Sequence, residues 1–211
     1  MPETVAIIGY GAIGKVIAGG LLDENGPKLH AVLVRPQQLD EARANLPPGV
    51  RVVTTLAELL LSRPNIVVES AGQGAVREHG AGILSAGADL IVASTGALAE
   101  DDLLGQLRRT AAAAGVRIMI PAGAIAGLDG LGALKAAGLT TVTYTSCKPP
   151  LAWRGTPAEG RMELGALRER TIIFEGSARE AALNVPEECQ FSGYRGTRGH
   201  RPGPYDGAAC R

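Results

Sequence analysis

The chain has 211 residues, 45% of them hydrophobic and 20% charged, with Lys+Arg and Asp+Glu both at 21 and a formal net charge of zero. That balance argues against a nucleic acid or an anionic membrane held by bulk charge, since counterion release needs a concentrated basic surface. No apolar run approaches the ~20 residues of a membrane helix, and Met1-Pro2-Glu3-Thr4 lacks a basic leader region. Cys147, Cys189 and Cys210 show neither metal-ligand spacing nor an even disulfide framework, so the expectation is a cytoplasmic, reduced protein without a metal.

Residues 5–8 are a short, partly β-branched apolar run that stops at Gly9, as a buried parallel strand does. Gly9-Tyr10-Gly11-Ala12-Ile13-Gly14 follows, and residues 15–22 then carry apolar side chains at helical spacing. Further strands are predicted over 30–34, 50–53, 65–69, 90–93 and 116–120, and helices over 39–45, 56–61, 76–86 and 101–114. The last helix is the best marked. Asp101 and Asp102 favour its first turn, Leu103, Leu104 and Leu107 form one face, and Gly115 closes it. Strand and helix alternate with short connections, which predicts a Rossmann-type doubly wound parallel α/β sheet. Residues 1–122 are assigned to this dinucleotide-binding domain.

After Pro121 the texture changes. Residues 123–183 read as part of a smaller α+β substrate domain, with helices over 131–137 and 178–183 and strands over 140–145 and 171–175. Residues 184–211 contain no Leu, Ile, Met or Lys but hold five Gly, three Pro and four Arg. Such a segment buries too little apolar area to offset its ordering entropy, which predicts a disordered tail.

The glycine spacing gains meaning from its context, since it follows the first strand and opens a helix. Gly9 allows the tight turn, Gly11 lets a pyrophosphate approach the backbone, and Gly14 lets the helix pack on the strand. The N–H groups of the first helical turn, at Ala12 and Ile13, face the anion. Where an Asp or Glu would bind the adenosine ribose, this chain has Val34-Arg35-Pro36. Arg35 either pairs with a 2′-phosphate or is a solvated loop charge, so the cofactor is NAD or NADP.

Several stretches together resemble the bacterial L-aspartate dehydrogenases linked to NAD biosynthesis. They are the glycine loop with its strand, Val67-Val68-Glu69-Ser70-Ala71-Gly72-Gln73-Gly74-Ala75-Val76, Ile91-Val92-Ala93-Ser94-Thr95-Gly96-Ala97-Leu98, Ile120-Pro121-Ala122-Gly123-Ala124-Ile125-Ala126-Gly127-Leu128-Asp129, Cys147-Lys148-Pro149-Pro150-Leu151-Ala152-Trp153 and Glu175-Gly176-Ser177-Ala178-Arg179-Glu180-Ala181. The resemblance covers residues 1 to about 184. It implies a homodimeric two-domain enzyme that oxidatively deaminates L-aspartate with NAD(P)+, giving iminoaspartate or oxaloacetate plus ammonia. It also implies dinucleotide contacts at Ala71 and Ala124.

The resemblance weakens near residue 184. Gln190 stands where the family places a cofactor-contacting Asn, and the family's later catalytic His has no counterpart here. A reading-frame change is the expectation for this stretch. It leaves open a second reading, a dinucleotide-binding module with little or no turnover. Two further residues are candidates for the chemistry. His79 is either an acid–base group near the sheet edge or a polar residue on a helix surface. Lys148 is either a point charge for a substrate carboxylate or a solvated loop lysine.

Overall fold

The structure is a computed structural model that describes residues 3–22, 26–122, 127–155, 159–184 and 208–209. It divides into two compact units, Met1–Pro121 and Ala122–Arg211. The first unit is built on six strands: β1 (Thr4–Ile8), β2 (Lys28–Leu33), β3 (Arg51–Val53), β4 (Ile66–Glu69), β5 (Asp89–Val92) and β6 (Ile118–Met119). Five helices connect them: α1 (Ala12–Leu21), α2 (Leu39–Asn45), α3 (Leu56–Leu60), α4 (Gln73–Ser85) and α5 (Asp101–Ala114). The strand order is β3-β2-β1-β4-β5-β6 and every pairing in this sheet is parallel. That is the Rossmann-type doubly wound order, which reverses direction between β1 and β4.

Both faces of the sheet are covered, which is why its strands read as nearly unbroken apolar runs. Ala6, Ile8, Leu33, Val67, Leu90 and Val92 pack under α3, α4 and α5 through Leu59, Val76, Ile83, Leu84, Leu107 and Ala111. The alternate positions Val5, Ile7, Leu29, Val32 and Val68 face α1 and α2 through Ala18, Ala42 and Leu46. Helix ends are held by local chemistry. Thr55 and Glu58 form a reciprocal capping box on the five-residue α3, and Gly115, at φ 70°, ends α5 in the left-handed conformation.

Several predicted boundaries move, among them that of β6, which keeps only Ile118–Met119 of the predicted 116–120, and the two that follow. The second strand begins at Lys28, whose backbone pairs with Thr4 ahead of the apolar run. Helix α4 begins at Gln73, three residues before the predicted start, because Gly72 at φ 114° turns the chain directly out of β4.

The second unit departs further from expectation. It contains α6 (Leu128–Ala136), α7 (Ala178–Asn184) and a two-residue antiparallel ladder of β7 (Cys147–Lys148) with β8 (Ala208–Ala209). The strands predicted over 140–145 and 171–175 do not form. Alternation and β-branching favour an extended chain, but a strand exists only where a neighbour completes its hydrogen bonds, and these segments pair with none of the described residues. A small core joins Trp153, Leu164 and Ile173, while no residue of α6 is buried. Apart from Asn184 and Ala208–Ala209, the tail expected to be disordered lies outside the described residues. Among the described residues, no helix is long and apolar enough to cross a membrane.

At the amino-terminal edge of the sheet, Asp89 accepts hydrogen bonds from Arg117 Nε at 2.9 Å and from Arg117 N at 2.8 Å. The guanidinium hydrogen bond holds the Asp89 carboxyl below its ordinary 3.8, against the opposing effect of burial. The unfolded chain therefore binds this proton more tightly than the folded one. The pair's contribution is complete above about 3.8 and is lost as pH falls through the lower folded value. In urea titrations, Asp89→Asn is expected to be less stable than the parent at neutral pH, with the gap closing below that range; a gap that widens in acid would contradict the sign.

A candidate dinucleotide site at the switch point

The first turn out of the sheet lies where β1 and β4, adjacent strands, send their chains to opposite faces. Gly9 N donates to Leu33 O at 2.9 Å, which carries the β1–β2 pairing one residue past the strand. Gly9 sits at φ 96°, a conformation that L side chains rarely adopt. A Cβ at Gly9 would stand 2.8 Å from Ala71 Cα and 2.9 Å from Ala71 N, so the loops after β1 and β4 touch backbone to backbone. A Cβ at Gly14 would run into the Gly9 carbonyl and come within 3.1 Å of Ser70 Oγ. That hydroxyl donates to Ile8 O at 3.2 Å, so Ser70 binds the β4 loop to the end of β1.

Gly11 is the exception. A Cβ there meets nothing within 4 Å, so the absence of a side chain leaves room on the open side of the loop. Gly11 is the N-cap of α1 and offers no side-chain acceptor to the helix start. The first amides of α1, at Ala12 and Ile13, therefore lack the usual capping oxygen, and both residues are exposed. Uncapped amides, a helix dipole and an open approach suit an anion such as a pyrophosphate. The donor set thus fits a dinucleotide.

Around this nest the side chains are arranged by charge. Lys15 Nζ lies 2.6 Å from Glu41 Oε1 and 5.6 Å from the centre of the Tyr10 ring. The Glu41 hydrogen bond raises the Lys15 ammonium above its ordinary range. Arg35 is exposed immediately beyond Val34, and its Nε donates to Gln38 Oε1 at 3.4 Å. On the far side of the crevice, Arg77 bonds Glu100 Oε1 through Nε at 2.9 Å and Gln73 Oε1 through Nη2 at 3.2 Å. The Arg77 hydrogen bond lowers the Glu100 carboxyl below its usual value.

One carboxylate escaped the sequence reading. Glu69, the last residue of β4, is 1% exposed. Its Oε1 accepts from Ala71 N at 2.8 Å, Gly72 N at 2.9 Å and Ser94 Oγ at 2.9 Å, and its Oε2 from Ser94 N at 3.0 Å. The available signal was an acid closing an otherwise apolar buried strand, a position where Glu is almost never found unless satisfied by partners.

The structure thus brings Gly9, Gly11, Ala12, Ile13, Gly14 and Ala71 together, with Arg35 at the end of the neighbouring strand β2. His79 lies elsewhere along α4, six residues after Gln73 and so about 9 Å along the axis. Its side chain is 15% exposed, with Nε2 3.8 Å from Glu78 Oε1. Lys148 belongs to the second unit, where its Nζ lies 5.5 Å from the centre of the Trp153 ring. Ala124 and Gln190 fall outside the described residues. Among the described residues no cluster of His, Cys, Asp and Glu could hold a metal ion.

Fold and nest define a dinucleotide-binding protein of the Rossmann class, and comparison with known proteins narrows the class. The profile described as "Homoserine dehydrogenase, NAD binding domain" matches residues 9–121, and that described as "Aspartate dehydrogenase, C-terminal" matches residues 129–189. L-aspartate dehydrogenase 2 of Bordetella pertussis is 44% identical over 197 residues, which cover 91% of this chain and 72% of that protein. L-aspartate dehydrogenase of Ralstonia nicotianae is 40% identical over 191 residues, 89% of this chain and 71% of that one. The crystal structure of aspartate dehydrogenase from Thermotoga maritima superposes with a TM-score of 0.60 at 26% identity, covering 90% of this chain and 73% of that one. The chain belongs to the L-aspartate dehydrogenase family.

Two glycine substitutions separate fold from binding. Gly11→Val is expected to fold, losing only about 1 kcal/mol at the N-cap, yet to lose saturable NADH binding because its branches occupy the anion's approach. Gly14→Ala is expected to cost about 1–3 kcal/mol of stability, since its methyl meets a backbone carbonyl that has nowhere to go. Chemical denaturation together with NADH fluorescence checks both, and a Gly11→Val chain that binds NADH like the parent would remove the nest from the site.

Proposed function

We propose that the chain catalyses the NAD(P)-dependent oxidative deamination of L-aspartate to iminoaspartate, which yields oxaloacetate and ammonia or enters NAD biosynthesis. The observation that carries the reading is the uncapped, open start of α1 beside Gly11, in a chain 44% identical to an L-aspartate dehydrogenase. When bound, the dinucleotide supplies the hydride acceptor.

The chain's own residues supply position and charge. Gly9 and Gly14 set the loop, and the amides of Ala12 and Ile13 donate to the pyrophosphate. Ala71 forms the opposite wall. Arg35 stands where a carboxylate would repel a 2′-phosphate, so the site accepts either nicotinamide dinucleotide. Ala124 and Gln190 complete the proposed cofactor contacts.

For the substrate, Lys148 offers a point charge to a carboxylate, held beside the face of Trp153. His79 is the proposed acid–base group, a role that imidazole fills near neutral pH. Residues 1–122 would then form the dinucleotide domain and 123–183 part of the substrate domain. We place the enzyme in the cytoplasm as a homodimer, without nucleic-acid or membrane partners. The support is its balanced charge and a cysteine pattern free of disulfide spacing.

The test couples binding to turnover. Aspartate-dependent growth of NAD(P)H absorbance is the expected result, alongside saturable NADH fluorescence. Saturable binding with no turnover would instead assign a binding module. His79→Asn is expected to lower kcat by roughly a hundredfold while KM changes little, the signature of a lost proton-transfer group. An unchanged kcat would remove His79 from the chemistry.

A further inference from the structure

The buried carboxylate of Glu69 has no part in the scheme above, yet it joins the turn after β4 to the turn after β5. Its four donors are all neutral, and the described residues form no ion pair with it. A carboxyl group taken out of water is tolerated only when its oxygens accept hydrogen bonds, and here both do. The bonds divide unequally. Oε1 gathers the Ala71 and Gly72 amides of the turn after β4 together with the Ser94 hydroxyl. Oε2 takes the Ser94 amide alone, at the point where β5 gives way to the short 3-10 turn Thr95–Ala99. The backbone repeats the link, with Ala93 N donating to Glu69 O at 3.1 Å.

We propose that Glu69 is a positioning residue for the nicotinamide half of the dinucleotide. The inference rests on the dinucleotide site described above. A doubly wound sheet is two mononucleotide-binding halves, and the glycine loop with the end of β2 serves the adenosine half. The other half, β4 to β6, takes the nicotinamide half at its carboxyl edge. Glu69 holds the two turns that rise from that edge at one fixed spacing: the turn whose Ala71 abuts Gly9, and the turn that begins at Ser94.

The same asymmetry designs the test. Glu69→Gln keeps the shape and one acceptor oxygen. With that oxygen on the Ala71 and Gly72 amides, its NH2 group faces the Ser94 amide, donor against donor. The Ser94 amide loses its acceptor, which loosens the turn after β5, while the turn against the glycine loop keeps its own.

The experiment compares NADH with ADP-ribose, which shares the adenosine and pyrophosphate groups but lacks nicotinamide. In Glu69→Gln, NADH is expected to bind about tenfold more weakly, the effect of one lost buried hydrogen bond, while ADP-ribose stays within about twofold of the parent. General loosening of the fold would weaken both ligands together, and that outcome overturns the proposal, as does parental affinity for both. Should Glu69→Gln fail to fold, Ser94→Ala decides. It removes only the hydroxyl donor and is expected to weaken NADH about threefold with ADP-ribose unchanged; an equal effect on both ligands, or on neither, overturns the proposal. Failure of the parent chain to bind NADH would overturn the dinucleotide site itself, and this inference with it, whereas failure of the variants to discriminate overturns this inference alone.

Discussion

The carboxyl edge of the sheet rests on one close approach, the backbone of Gly9 against the backbone of Ala71. Parallel neighbours deliver their chains to the same edge, and β1 and β4 must then send helices to opposite faces. The crevice between them stays narrow only if neither loop puts a side chain larger than the Ala71 methyl into it. Gly9 meets that demand with a left-handed turn, and Gly14 meets it again one helical turn later by resting against the Gly9 carbonyl. The free amides of α1 have a separate origin: the N-cap, Gly11, carries no side-chain oxygen, although a Cβ there would meet nothing within 4 Å.

The two edges of the sheet treat charge differently. At the amino-terminal edge Asp89 and Arg117 satisfy each other, with the Arg117 side chain 72% exposed, so solvent and salt weaken what the pair adds to stability. At the carboxyl edge Glu69 is buried and surrounded by neutral donors, which makes it a fixed element of the local geometry. Lys15 with Glu41 and Arg77 with Glu100 flank the crevice as exposed pairs. Their charges leave the amides at the start of α1 as the donors aimed into the open space.

Much of the first unit was legible in the residues. A strand buried on both faces has to be apolar at every position, and a helix packed on it must show apolar side chains at three- and four-residue spacing. Residues 101–114 carried that spacing with end signals, and the helix forms over that span, as the one predicted over 39–45 also does. Helix α4 was harder because its first turn, Gln73-Gly74-Ala75, has no apolar periodicity, and the turn at Gly72 that starts it is a backbone property. The segments 140–145 and 171–175 misled for the converse reason. Their composition suits a strand, but pairing is a relation between segments, and composition describes only one of them.

The candidate site divides along the same line. Gly9, Gly11 and Gly14 announced themselves because a short run of local chemistry, strand then turn then helix, needs small residues at set intervals. Ser70, Glu69 and Ser94 did not, since each acts on a part of the chain distant in sequence: Ser70 on Ile8, and Glu69 on Ser94, 25 positions away. Local order along the chain was enough to specify a doubly wound sheet and a glycine turn between its first strand and helix, because both follow from the intrinsic preferences of neighbouring residues. Which loops touch, where a buried carboxylate finds its donors and which extended segments become strands were settled only by folding, because those interactions join groups that the linear order keeps apart.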